Sequence, residues 1–94
     1  MAANGYAPTS TQQAVATTAA QSVAVTGTTL RIVNLGPGTA YVALGSSQPV
    51  AVTPQTGLAI EAGGPPEFLT VGANTFLGIV TDALTARLNV SEGT

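Results

Sequence analysis

The chain has no cysteine, histidine, lysine or tryptophan among its 94 residues. Without cysteine no disulfide can stabilise the fold, and without cysteine and histidine the usual structural zinc sites are excluded. A chain of this length buries only about 60 to 65% of the surface that its unfolded form exposes. Its stability therefore has to come from a well-packed apolar core, from oligomerisation, or from both.

Charge is also scarce: 6% of the residues are charged, against roughly 25% in an average globular protein. The chain is nevertheless 45% hydrophobic with a net charge of −2, which is not the composition of a disordered protein. Two cations cannot neutralise many phosphates, so we do not expect a nucleic acid partner. A surface of small, uncharged side chains packs against another protein at little cost, because few charges have to leave water. The six charged residues are Arg31, Glu61, Glu67, Asp82, Arg87 and Glu92.

Long apolar runs are absent as well, because Gly, Pro and Thr interrupt every one before it reaches the roughly eighteen residues that a membrane span needs. The N-terminal stretch "MAANGYAPTST" has neither the basic nor the apolar region of a secretory signal. We therefore expect neither a membrane partner nor secretion.

The first part of the chain lacks both charge and a sustained apolar period, and Asn4-Gly5 and Pro8 break regular structure there. We predict an extended N-terminal arm over residues 1–18 and a single β-sandwich domain over residues 19–94. The alternative for the arm is a short Ala-rich helix from Gln12 to Ala20, which lacks capping residues.

From Gln21 onward, short segments rich in Val, Ile, Leu and Thr alternate with Gly, Pro, Asn and Ser turns. This spacing predicts an all-β fold, a small β-sandwich or jelly roll of about eight antiparallel strands. The predicted strands are Gln21–Val25, Thr29–Asn34, Thr39–Leu44, Gln48–Val52, Leu58–Glu61, Glu67–Val71, Phe76–Thr81 and Thr85–Val90.

In "ARLNVS", alternation points Leu88 and Val90 inward, and Arg87 and Asn89 outward. In "TLRIVN" it places Leu30 and Ile32 on one face, and Arg31 and Val33 on the other. The second face is thus nearly uncharged, and the same holds for several other strands. A strand face that meets water normally carries charge. We therefore expect these faces to be covered in an assembly.

No sequence motif indicates a particular enzymatic reaction. The serines of "LGSSQ" have no His or Lys to act as a base. Glu61 and Glu67 flank a Gly-Gly-Pro-Pro corner, and a pair of carboxylates can cleave a glycosidic bond. Sites that cleave sugars normally also contain aromatic side chains on which the sugar stacks, and this chain has only two Tyr and two Phe. We expect no enzymatic activity, no cofactor, no metal and no small-molecule substrate.

Three stretches, "LRIVNLGPGTAYVALG", "GLAIEAGGPPEFLTVGANTFLGIVT" and "ARLNVSEGT", resemble small virion proteins of tailed bacteriophages, and in particular capsid cement (decoration) proteins. The resemblance covers residues 29–94. It implies a compact β-sandwich or jelly roll that binds the outer capsid surface as a dimer or trimer and stabilises the shell. The implied partners are the chain itself and the major capsid protein, after synthesis in the host bacterial cytoplasm.

On this basis we predict a partner-binding set on the arm and on two strands. An extended arm can add a strand to a shell protein's sheet, while a disordered tail remains the alternative. Two other functions remain possible. The chain could be a head–tail or tail component of a phage particle, or it could be a carbohydrate- or host-binding module, which would require exposed aromatic side chains. The predicted residues are Tyr6, Pro8, Gln12, Gln13, Arg31, Val33 and Tyr41.

Overall fold

A computed structural model describes residues 8–48, 50–73 and 75–93, and within them it contains eight strands and no helix. The strands are β1 (Pro8–Ala16), β2 (Gln21–Ala24), β3 (Thr29–Pro37), β4 (Ala40–Gly45), β5 (Leu58–Ile60), β6 (Glu67–Thr70), β7 (Phe76–Thr81) and β8 (Ala86–Gly93).

The strands form two four-stranded sheets: sheet A has the order β1-β8-β3-β6, and sheet B has the order β2-β7-β4-β5. The first strand pairs with the last, the second with the seventh, the third with the sixth and the fourth with the fifth, all antiparallel. This nested pairing is that of one long hairpin rolled up so that successive pairs alternate between two sheets, which is a jelly roll. The predicted all-β fold is confirmed, and the strand order selects the jelly roll.

Two segments differ from the sequence prediction. Pro8–Ala16, which we assigned to an arm outside the sandwich, forms β1 and pairs with β8 along its length. The predicted boundary at residue 18 therefore does not separate an arm from the domain over this stretch. The described residues of the predicted strand 48–52 belong instead to the connection between β4 and β5. β1 was missed because its buried residues are alanines, which give a weak apolar period.

The core lies between the two sheets and follows the predicted alternation. Each fully buried Leu, Ile or Val side chain contributes about 1.5 to 3 kcal/mol relative to an exposed one. The largest of them in sheet A are Leu30, Ile32, Leu88 and Val90, and those in sheet B are Val42, Ile60, Leu77 and Ile79.

Asn34 is 1% exposed and ties the two sheets together at one end of the sandwich. Its Nδ2 donates hydrogen bonds to the carbonyl oxygens of Gly38 (2.8 Å) and Ile60 (2.7 Å), and its Oδ1 accepts one from the Gly36 N–H (2.7 Å). Gly36 has a φ of +83°, a conformation that favours glycine. The buried amide is thus satisfied on both its donor and its acceptor side.

Glu92 performs the corresponding role near the other end, where its side chain is 6% exposed. Its Oε2 accepts hydrogen bonds from the Thr26 N–H (2.6 Å) and the Thr26 hydroxyl (3.1 Å), and its Oε1 accepts one from the Ser10 hydroxyl (3.0 Å). Gln12 Nε2 lies 3.4 Å from Oε1 and also donates to the Ala24 carbonyl (2.9 Å). One buried carboxylate therefore joins β1 and β8 to the turn between β2 and β3.

A Glu92→Gln variant should be less stable than the wild type by about 1 to 3 kcal/mol, because an amide puts an N–H group against donors and leaves one of them without an acceptor. Urea unfolding followed by circular dichroism measures the loss. The matched control is Glu61→Gln, which makes the same chemical change at an exposed turn position and should stay within about 0.5 kcal/mol of the wild type. Equal stability of Glu92→Gln and wild type would contradict the assigned role of Glu92.

Candidate binding surface

The outer face of sheet B is covered by the chain's own connection between β4 and β5. Val50 and Val52 of this connection are only 7% and 4% exposed, and the Val50 N–H donates a hydrogen bond to the Ser22 hydroxyl at 2.9 Å. A Cβ atom built on Gly78 would lie 2.9 Å from both Cβ and Cγ1 of Val50, and one on Gly45 would lie 3.0 Å from its Cγ2. The two glycines thus leave the space into which Val50 packs. The uncharged outer face of sheet B is therefore explained within one chain.

The outer face of sheet A is different, because large side chains remain exposed on it. Val15 of β1 is 52% exposed, Leu35 of β3 is 50% exposed and Phe68 of β6 is 38% exposed. Register defines the face: Gln13 and Val33 both lie opposite Asn89. We name as the sheet A face the outward residues Thr11, Gln13, Val15, Arg31, Val33, Leu35, Phe68, Arg87, Asn89 and Ser91.

Arg31 lies near the middle of this face. It is half-buried on β3, directly opposite Ser91 of β8 on one side and Phe68 of β6 on the other. The Ser91 hydroxyl lies 3.3 Å from the Thr11 hydroxyl and donates a hydrogen bond to Asn89 Oδ1 at 3.4 Å. The polar groups around Arg31 thus bond to one another along the surface.

Charge is unevenly distributed between the two sides of the molecule. Both arginines belong to the sheet A face, Arg31 from β3 and Arg87 from β8, where Val15 is opposite Arg87. All four carboxylates lie elsewhere: Glu92 points inward, Asp82 accepts a hydrogen bond from the Tyr41 hydroxyl at 3.4 Å, Glu61 follows β5, and Glu67 pairs with the inward-pointing Ile32. The sheet A face therefore carries two positive charges and no negative one.

This composition resembles the core of a protein–protein interface. Interfaces are enriched in aromatic residues and Arg, and depleted of Lys, Glu and Asp, relative to the rest of a protein surface. The sheet A face combines Phe68 and three aliphatic side chains, Val15, Val33 and Leu35, with the two arginines. We therefore take it as the candidate binding surface.

The structure brings together three of the predicted partner-binding residues, Gln13, Arg31 and Val33, on this face. Gln12 points to the opposite side of β1, into the Glu92 network. Tyr41 lies on sheet B, half-buried beside Asp82. Pro8 begins β1, although its side chain lies outside the described part of the chain, and so does the whole of Tyr6.

Sequence reasoning missed the other members of the face. Alternation did place Arg87 and Asn89 on the outward side of their strand, but it could not show that this strand is the neighbour of β3. Phe68 is brought beside Arg31 only by the pairing of β6 with β3. Val15 was assigned to the arm, so its period was not used.

Among the described residues, no group of three or more His, Cys, Asp or Glu side chains is placed to hold a metal ion. No helix in the described segments has the length and apolar character to cross a bilayer. Comparisons of this chain with protein-family models, with curated proteins and with solved structures found no match.

A Gly78→Ala variant tests the covering of sheet B. The added methyl group would stand 2.9 Å from Val50, so segment 46–57 must move, and we expect a loss of about 1 to 3 kcal/mol in the free energy of unfolding. Limited proteolysis should then cut within 46–57 faster than in the wild type. Ala59→Ser, an equally small addition at an exposed position of β5, is the control. Unchanged stability and cleavage in Gly78→Ala would rule out the close packing of Val50 on β7.

Proposed function

We propose that this chain is a non-enzymatic structural protein of a phage particle, a cement (decoration) protein that binds the outer capsid surface as a homo-oligomer and stabilises the shell. The observation that carries the proposal is the open, carboxylate-free sheet A face on a domain whose other sheet is covered by its own chain. The jelly-roll architecture, which viral capsid domains use, supports it. The resemblance of residues 29–94 to such virion proteins supports it as well.

Binding of this kind needs no covalent chemistry, and the burial of apolar surface contributes to it directly. Each square ångström of apolar surface removed from water contributes about 25 cal/mol. An oligomer that engages several shell subunits at once gains further, because the second contact is intramolecular once the first has formed. Modest contacts by each copy therefore add up over a whole shell.

The edge of sheet A supports self-association. β1 is an edge strand of nine residues and carries no charged side chain. Natural proteins usually protect such edges with Lys, with Pro or with inward-pointing charges, because unpaired N–H and C=O groups are a template for another strand. β1 has Pro only at its first residue. In the proposed oligomer, this edge pairs with the same edge of a second copy.

Sedimentation velocity on the purified chain tests the oligomeric part of the proposal. We expect a dimer at micromolar concentration, since the uncharged β1 edge of one copy pairs with the same edge of a second copy, and no free β1 edge then remains for a third. A monomer that persists at the highest soluble concentration would overturn self-association through this edge.

The position of this protein on the phage particle can be tested with purified virions that contain it. Gold-labelled antibodies against the recombinant protein should decorate the whole outer shell, and cryo-electron microscopy should show jelly-roll density outside the capsid in many copies. Labelling of a single vertex would instead indicate the head–tail or tail alternative, and unlabelled particles would contradict a virion role.

A carbohydrate-binding role is the second candidate, favoured by the exposed ring of Phe68 on a jelly roll, an architecture that lectin domains share. It is weaker because such modules need exposed aromatic side chains in a groove, and of the aromatic residues that the structure describes only Phe68 is exposed. A glycan array separates the two: binding to a defined glycan that is lost in Phe68→Ala would favour the lectin reading.

A further inference from the structure

We infer that the sheet A face recognises a protein surface that carries carboxylate groups, and that Arg31 and Arg87 are the residues that bind them. This inference rests on the proposed function, in which the partner is a shell subunit. It adds the chemistry that the partner must present.

Charge is segregated between the sheet A face and the rest of the molecule. The chain as a whole has a net charge of −2, yet the sheet A face holds both of its cations and none of its carboxylates. Such a face is complementary to a negative surface, and complementary charge steers encounter and fixes the register of docking. The remainder of the molecule, which carries the acids, repels the same partner surface.

Arg31 and Arg87 are well separated along the sheet A face. Arg31 lies opposite Ser91 of β8, and Arg87 lies four residues before Ser91 on that strand. The two Cα atoms are therefore about 14 Å apart, four residues along one strand and one strand across. Val33 and Asn89 lie opposite each other between them. Two separate carboxylates, set in an otherwise apolar surface, match this arrangement, since Arg binds a carboxylate through two parallel hydrogen bonds.

Other classes of partner fit the sheet A face less well. Two copies of this chain packed through their sheet A faces would bring four arginines together with no carboxylate between them, and like charges in an interface are unfavourable. An uncharged partner would leave both guanidinium groups desolvated without compensation. A nucleic acid would need more phosphate contacts than two arginines provide. An acid-bearing protein surface remains.

Capsids prepared from a source strain lacking this gene provide the test, with purified chain titrated onto them and occupancy read by gel densitometry. For the double variant Arg31→Gln/Arg87→Gln we expect the half-saturating concentration to rise by about tenfold or more, because charge-assisted hydrogen bonds are lost. Arg31→Lys/Arg87→Lys should bind better than the Gln variant, and Arg31→Glu/Arg87→Glu should bind worst. The single variant Arg87→Gln, at an exposed position, keeps the test valid if a double variant does not fold.

Asp82→Asn is the control for Arg87→Gln, because each variant removes one charge, of opposite sign, but Asp82 lies beside Tyr41 of sheet B and away from the sheet A face; its occupancy should equal that of the wild type. Thermal unfolding checks that each variant is folded. Raising the salt concentration should weaken the wild type more than the Gln variant, because screening acts on the arginine–carboxylate pairs.

The experiment distinguishes failure of the proposed function from failure of the carboxylate inference. If the wild-type chain does not bind these capsids at all, the proposed function falls, and this inference falls with it. If the wild type binds and the folded Gln variants bind equally well, or if Gln and Glu variants are indistinguishable, the cement role stands and the carboxylate-bearing partner surface is wrong.

Discussion

Backbone pairing between β1 and β8 is the interaction on which the rest of the structure depends. It closes the roll by joining the first described strand to the last, and it covers the edge of β8 that would otherwise be open. It also brings Ser10 and Gln12 to the Glu92 carboxylate, which in turn holds the turn between β2 and β3. The sheet A face exists only because β1, β8, β3 and β6 lie side by side in this order.

The nearly uncharged outer faces of the two sheets have different surroundings. Both have outer faces with few charges, but sheet B buries its face internally, where Val50 packs into the space left by Gly45 and Gly78. Sheet A keeps Val15, Leu35 and Phe68 exposed. One compositional signal, a lack of charge, thus has two physical causes, and only on sheet A does it leave a surface for a partner.

The few charges are placed so that each has a distinct role. Glu92 is buried and surrounded by donors, as a buried carboxylate must be. The two arginines lie on the sheet A face, and Glu61, Glu67 and Asp82 lie away from it. Glu92 therefore contributes mainly to stability and the two arginines to the proposed recognition, and the proposed cement role depends on that division.

Local pattern was sufficient for part of this result. Period-two alternation and Gly/Pro turns predicted an all-β sandwich, most strand positions from Gln21 onward, and the outward direction of Arg31, Val33, Arg87 and Asn89. These properties depend on neighbours along the chain, so local pattern is enough to predict them. The strand order, the inclusion of Pro8–Ala16, the covering of sheet B by Val50 and Val52, and the opposite directions of Gln12 and Gln13 depend on contacts between residues far apart in the chain. Tertiary structure alone decided them, because pairing and close packing of distant segments are set by the whole fold rather than by any local period.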